Sequence, residues 1–280
     1  MENLNNKIIS NLKESGFGSE MKSLKLFLDA NWSADGSETF FDKDEAKSRE
    51  YDISAIRSLD LESEGKLAAV TFIFLTGEVK KSDDPWIVFR HNPQYSFDAF
   101  DDGGSLLYAS NLPKPLRRFH KAISSHSIVE QRGWWGKGIH EAFKAPNKKS
   151  RWYSAFITAC KAGEHVMLRE ASAEDPRGLI SDNLLEKATY FLLVRPVVIL
   201  DGKLFSAQLD ETAEIQVEEI TEASLKFGFR TEKYATGRYI VDLVTLDGLS
   251  KYIQMWDKRH HCIVEELARQ SGLSDCRIKE

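Results

Sequence analysis

The chain has 280 residues, of which 42% are hydrophobic and 29% charged, the balance of a globular protein with a sizeable core. Its 38 Lys and Arg against 43 Asp and Glu give a formal net charge of −5, so bulk charge does not advertise a nucleic-acid partner. The longest apolar stretch, Ala188 to Leu200, is interrupted by Arg195 and is too short to span a bilayer, so no membrane partner is expected.

Other classes fall away on motif grounds. The N-terminus lacks a basic region followed by an apolar run, so no signal peptide is expected. Cys160, Cys262 and Cys276 have neither metal-knuckle spacing nor the pattern of a disulfide framework, which fits a reducing cytoplasm. There is no repeat, no nucleophile elbow and no Gly-rich phosphate loop, and His260 and His261 adjoin on a predicted helix and so point apart.

In chain order, Leu4, Ile8, Ile9 and Leu12 predict a first helix. Gly16 and Gly18 interrupt it, and Ser19 is placed to cap a second helix running to about Asn31, with Leu24, Phe27 and Leu28 as its apolar face. Strands are predicted at Glu38 to Phe41, Arg49 to Arg57 and Leu67 to Lys80, the last two as a hairpin around Gly65. Residues 81 to 115 read as loop, and Pro115 to Ser127 and Ser150 to Gly163 as helices. A buried strand at Tyr190 to Leu200 leads through Asp201-Gly202, read as a tight turn, into Lys203 to Leu209. Strands follow at Glu214 to Ile220, Leu225 to Arg230 and Arg238 to Val244, then a helix over Leu249 to Gln270 with a break expected near its middle. The class is α/β, a core over 1–205 with strands and a helix at 206–280 packed on the same domain. For 206–280 the residues leave three uses open: completing the core, forming a homodimer interface, or contacting a partner.

The most informative segment is Thr71 to Phe89, TFIFLTGEVKKSDDPWIVF. It is apolar enough for a central strand, yet it ends in Glu78-Val79-Lys80, with Glu78 and Lys80 on one face. Isolated charges are costly to bury, so a buried strand ending this way needs a reason. Asp52 begins a second strand, Asp52-Ile53-Ser54-Ala55-Ile56, and Glu50 lies two residues away on the same predicted face as an alternative ligand. Two carboxylates and a lysine at adjacent strand ends suit phosphodiester hydrolysis. The acids hold a hard divalent cation, and the lysine orients or helps deprotonate a water. Glu20 lies at helical spacing with Leu24, Phe27 and Leu28, which either points it toward this site or makes it a first-turn acid favouring the helix dipole.

This order resembles the PD-(D/E)XK, or restriction-endonuclease-like, nuclease superfamily over roughly residues 16 to 90. The segments that carry it are GFGSEMKSLKLFLDANW, REYDISA and GEVKKSDDPWIVF. The resemblance implies a mixed central sheet flanked by helices and a Mg²⁺- or Mn²⁺-dependent nuclease, with DNA favoured over RNA. It puts the acid at Asp52, the (D/E)XK element at Glu78, Val79 and Lys80, and an assisting metal-binding glutamate at Glu20, with the Val79 carbonyl as a further ligand. The literal Pro-Asp pair is absent, since Tyr51 precedes Asp52.

Charge is unevenly spread. Residues 114 to 151 carry ten basic residues against Glu130 and Glu141, a net of +8 that leaves −13 on the rest. Arg117, Arg118, Lys121, Lys137, Lys148, Lys149 and Arg151 suit phosphates, and Trp134 and Trp135 suit unpaired bases. Lys161, at the end of the helix Ser150 to Gly163, either favours the helix dipole or projects to the substrate. Two competing readings are a non-catalytic nucleic-acid-binding or assembly module of the same fold, and a hydrolase of small phosphoesters.

Overall fold

The computed structural model describes residues 3–90, 106–116, 119, 134–144, 150–172, 188–234, 236–273 and 275–280; of Lys13, Trp134, Trp135 and Lys137 the backbone alone is described. Its spine is β5 (Lys66–Lys81), every residue of which is buried from Ala69 to Val79. Alternate side chains of this strand enter two different cores. Val70, Phe72 and Phe74 face one, and Ala69, Ile73, Leu75 and Val79 face the other. A strand buried on both faces must carry a continuous apolar run, and that run is what the sequence shows.

β4 (Ile53–Ser63) pairs antiparallel with β5 through a two-residue turn at Glu64-Gly65, both with positive φ. The other edge of β5 pairs in parallel with β9 (Thr189–Asp201) over its whole length. β7 (Leu106–Ser110) covers the first half of β9's far edge, and β13 (Gly237–Thr245) covers the second. The sheet continues through β12 (Glu222–Phe229), β8 (Trp134–Glu141), β6 (Trp86–Arg90), β10 (Leu204–Leu209) and β11 (Ile215–Ile220). At its opposite end β1 (Ser33–Asp35) and β14 (Cys276–Lys279) share the outer edge of β4, for a mixed sheet of 12 strands. β2 (Glu38–Asp42) and β3 (Lys47–Tyr51) form a separate ribbon.

The described residues form four helices: α1 (Leu4–Glu14), α2 (Phe17–Asp29), α3 (Arg151–Ser172) and α4 (Leu249–Ser271). α3 packs on β5 and β9 through Ala155, Phe156, Ala159 and Cys160, on the face of Phe72 and Phe74. α2 and α4 cover the opposite face through Phe27, Tyr252, Trp256 and Ile263. The fold is α/β, a large mixed sheet with helices on both faces. No helix among the described residues is long and apolar enough to cross a membrane.

Several expectations change. The strand foreseen over Arg49 to Arg57 is broken at Asp52, with β3 in the small ribbon and β4 in the main sheet. The 81–115 loop contains β6 and β7, which are short strands borrowing partners distant in sequence. Asp201-Gly202 is a turn but not a hairpin, since β10 leaves β9 to pair in parallel with β6. α4 is continuous, and its buried side carries Arg259, His260 and Glu266 as well as the apolar residues that fill the core. Residue 205 lies within β10, and β13 and α4 supply the cores on both sides of the sheet. Of the helix predicted over Pro115 to Ser127, only Pro115, Leu116 and Phe119 lie within the described residues.

Candidate active site

The end of β5 is shaped by Gly77. A Cβ there would sit 1.7 Å from the Val197 carbonyl oxygen, so only glycine lets β9 approach so closely. The Gly77 carbonyl in turn accepts the Asp52 N–H at 2.9 Å. That bond anchors Asp52 at the break between β3 and β4, directly beside the Glu78-Val79-Lys80 segment.

The Asp52 carboxylate then does two things. Its Oδ2 accepts the Val79 N–H at 2.8 Å and faces the Lys80 Nζ at 3.3 Å. Lys80 also pairs closely with Glu78 Oε2 and donates to the Val79 carbonyl at 3.2 Å. One ammonium therefore sits where oxygens of Asp52, Glu78 and Val79 converge, three of the four groups the resemblance implies as cation ligands, with Glu20 the fourth.

Electrostatics follow from burial. Burial pushes Glu78 up to about 7 against the pull of Lys80, and repulsion from Asp52 adds to the rise. For Lys80 burial works against its charge, but Glu78 and Asp52 together outweigh it and hold its pKa above the ordinary lysine value. Glu20 is raised by burial first and then by the Asp52 charge, with Lys80 opposing. Four ionisable groups thus feel one another across the site.

A cavity of about 520 Å³ opens over this cluster. It is walled by Glu20, Asp52, Val79 and Lys80, by Glu14, Ser15 and Gly16 at the α1–α2 junction, and by Lys81, Asp83 and Arg151. α2 reaches it by an unforeseen arrangement. Gly16, at φ 87°, is the N-cap, and Ser19 is buried and donates to the Asp201 carboxylate at the end of β9. Ser19, Ser23 and Phe27 form the buried stripe of α2, while Leu28 is exposed, because small serines let the helix lie close to the sheet.

Of the predicted site residues, Glu20, Asp52, Val79, Lys80 and Arg151 come together around the cavity, with Glu78 joined through Lys80. Glu50, the alternative ligand, is exposed on the ribbon and outside the cavity wall, but its charge still reaches Glu20 and adds to the rise of that group's pKa. Lys161 is a correction. Its Nζ is buried against Asp42 at 2.7 Å and Asp44 at 2.9 Å, 4.8 Å from the Tyr234 ring centroid, and is committed to fastening α3 to the ribbon. Trp134, Trp135 and Lys137 lie on β8. Arg117, Arg118, Lys121, Lys148 and Lys149 lie outside the described residues.

The sequence reading passed over Glu14, Lys81, Asp83, Asp201 and Glu141. Lys81 and Asp83 follow directly on the ExK element and were within reach of it. Asp201 and Glu141 are brought near only by the crossover topology.

The family models, the curated proteins and the solved structures searched contain no match to this chain. Among the described residues, no group of three or more His, Cys, Asp or Glu side chains stands ready-made for a metal. The donors that do converge are two carboxylates and a carbonyl gathered around an ammonium, an all-oxygen set that suits a hard cation such as Mg²⁺.

Proposed function

We propose that this protein is a divalent-cation-dependent nuclease with a restriction-endonuclease-like core. In this reading α2, the β4–β5 hairpin, α3 and β9 make the core, and β6, β8 and β10–β13 extend its sheet. Asp52, Glu78 and the Val79 carbonyl would hold Mg²⁺ or Mn²⁺, with Glu20 assisting from the cavity wall. A cation bound there would offset charge on the phosphate in the transition state and lower the pKa of a water.

The remaining roles belong to the chain itself. Lys80, with its pKa held up by two carboxylates, is an ammonium at neutral pH. It therefore acts as hydrogen-bond donor and counter-charge to the water or phosphate rather than as the base. Asp52, fixed by the Val79 N–H, holds its carboxylate toward the cavity. Arg151, on the cavity wall, is a cation for the incoming phosphate. DNA is the substrate proposed first, on the resemblance.

The single observation carrying this reading is the convergence of Asp52, Glu78 and Val79 oxygens on one cationic nitrogen at the floor of an open, polar cavity. The test is incubation of purified protein with plasmid, single-stranded DNA and RNA in Mg²⁺ or Mn²⁺. Cleavage lost in Glu78→Ala and Lys80→Ala, with binding retained, supports it. Binding by the wild type without cleavage of any of the three favours the non-catalytic module, and turnover of nucleotide monoesters alone favours the small-phosphoester hydrolase.

A further inference from the structure

The last residue of β8, Glu141, has a buried carboxylate although it follows a glycine-rich strand in a basic region. Its Oε1 accepts the Arg151 N–H at 2.6 Å, the Trp152 N–H at 3.2 Å and the Ser150 hydroxyl at 3.0 Å. A carboxylate ten residues upstream therefore caps α3, where a local Ser or Asp would ordinarily serve. Those bonds outweigh the effect of burial and hold Glu141 below the ordinary carboxylate value, so it is charged at neutral pH.

The same carboxylate reaches the Arg151 side chain, with Oε2 3.6 Å from Nε. The guanidinium is held on its other side by the end of β5, Nη1 donating to the Lys81 carbonyl at 3.2 Å and Nη2 to Ser82 Oγ at 2.8 Å. Ser82 is itself fixed, its N–H donating to the Asp201 carbonyl at 3.0 Å. Yet the Arg151 side chain is 47% exposed and lines the cavity. A guanidinium has five donors in a rigid fork, so one so tethered still offers N–H groups to an anion. The Arg151 and Trp152 amides of α3 do not, because Glu141 occupies them. Lys80 is engaged by its three oxygens.

We propose that Arg151 binds a backbone phosphate of the nucleic acid at the cavity mouth, and that Glu141 is the positioning residue that sets Arg151 for it. This rests on reading the cavity as a phosphodiester site. Glu141 acts through Arg151, so the two residues must be energetically coupled in binding and not merely both important.

The experiment is fluorescence anisotropy of a short fluorescein-labelled DNA in EDTA over a range of salt, with wild type, Arg151→Ala, Glu141→Gln and the double variant. Thermal unfolding of each is recorded alongside. Arg151→Ala weakens binding about 10-fold and lowers the slope of log Kd against log salt by about one, as loss of one phosphate contact requires. Glu141→Gln, whose amide oxygen still accepts the α3 N–H groups, weakens binding about 3-fold alone and adds nothing to Arg151→Ala. Full additivity overturns the positioning role, and an unchanged slope in Arg151→Ala overturns the phosphate contact. Should Glu141→Gln not fold, Arg151→Lys decides. It keeps the charge but cannot span the Lys81 carbonyl and Ser82, and wild-type affinity in it overturns the need for a held guanidinium. Binding with the Arg151-dependent slope but no cleavage in Mg²⁺ sinks the nuclease reading and leaves this inference standing. Cleavage by wild type with Arg151→Ala unchanged in affinity and slope sinks this inference alone.

Discussion

Asp52 accepts the Val79 backbone N–H through its side chain at 2.8 Å, so the acid of one strand is clamped to the middle residue of the acid–lysine segment of the next. A bond to a carboxylate is stronger than one between neutral groups, and this one fixes the side chain on which the proposed cation site depends. Asp52→Asn keeps the shape but removes the charge. Cleavage is expected to fall by about three orders of magnitude, since a cation site contributes several kcal/mol to the transition state, while thermal stability changes little. Single-turnover rates beside melting curves check this, and equal rates would remove Asp52 from the chemistry.

Glu78 predicts a pH dependence. Its pKa is pushed up to about 7 by burial, against the ordinary glutamate value of 4.5 in the unfolded chain. The folded state therefore binds the extra proton between those values, and the stability this group contributes is full below about 4.5 and lost as pH rises through about 7. Denaturant titrations of the metal-free protein from pH 5 to pH 8 should show that decline, and Glu78→Gln should flatten it. Affinity for Mg²⁺ runs the other way and rises through about pH 7, because the carboxylate of the metal-free protein must lose its proton to hold a cation. A Mg²⁺ affinity that does not change between pH 5 and pH 8 would contradict the assignment of Glu78.

Gly77→Ala is expected to disrupt the sheet at the site. Its Cβ would fall 1.7 Å from the Val197 carbonyl oxygen, a contact that only a backbone shift can relieve. The cost should reach about 3 kcal/mol or more, read as a lowered midpoint in urea. Cleavage by the folded fraction should fall with it, since Glu78 and Lys80 follow directly on the displaced residue. A variant with wild-type midpoint would mean that β5 and β9 are not so closely apposed.

Lys161 separates architecture from chemistry. Lys161→Met leaves buried Asp42 with Arg49 alone, 3.4 Å from its Oδ2, so the loss should reach about 3 kcal/mol, the low end for a broken buried pair. Midpoint denaturant concentration should drop accordingly, while the cleavage rate per folded molecule and the affinity for DNA stay at wild-type values. A specific loss of DNA affinity at unchanged stability would return Lys161 to the substrate surface.

How far the site was legible depends on how local each signal was. Glu78 and Lys80 could be read because strand alternation and a costly pair of charges on an apolar strand leave a pattern within a few residues, whereas alternation puts Asp52 and Glu50 on one face and only the resemblance favours Asp52. That a hairpin turns around Gly65 was legible too, but not that β4 runs on to Ser63 and leaves a turn of only Glu64-Gly65, because residues 58 to 63 read as part of a polar loop. The break at Asp52 was not, since only the pairing of β3 with β2 and of β4 with β5 shows that the chain changes sheets there. Nor was the role of Ser19, whose partner Asp201 lies 182 residues away. Lys161 misled for a related reason. A lysine late in a predicted helix gives no sign that two aspartates from a distant ribbon will close over it.

The central claim is that the oxygens now gathered around Lys80 Nζ form a cation site. Anomalous scattering from a crystal grown with Mn²⁺ tests it most directly. The account predicts Mn²⁺ held by Asp52, Glu78 and the Val79 carbonyl, at metal–oxygen distances of about 2 Å, with Lys80 displaced from between the carboxylates. Mn²⁺ bound elsewhere while Lys80 keeps its contacts to Asp52 and Glu78 would contradict it, and the cluster would then be a buried ion network and not a catalytic centre.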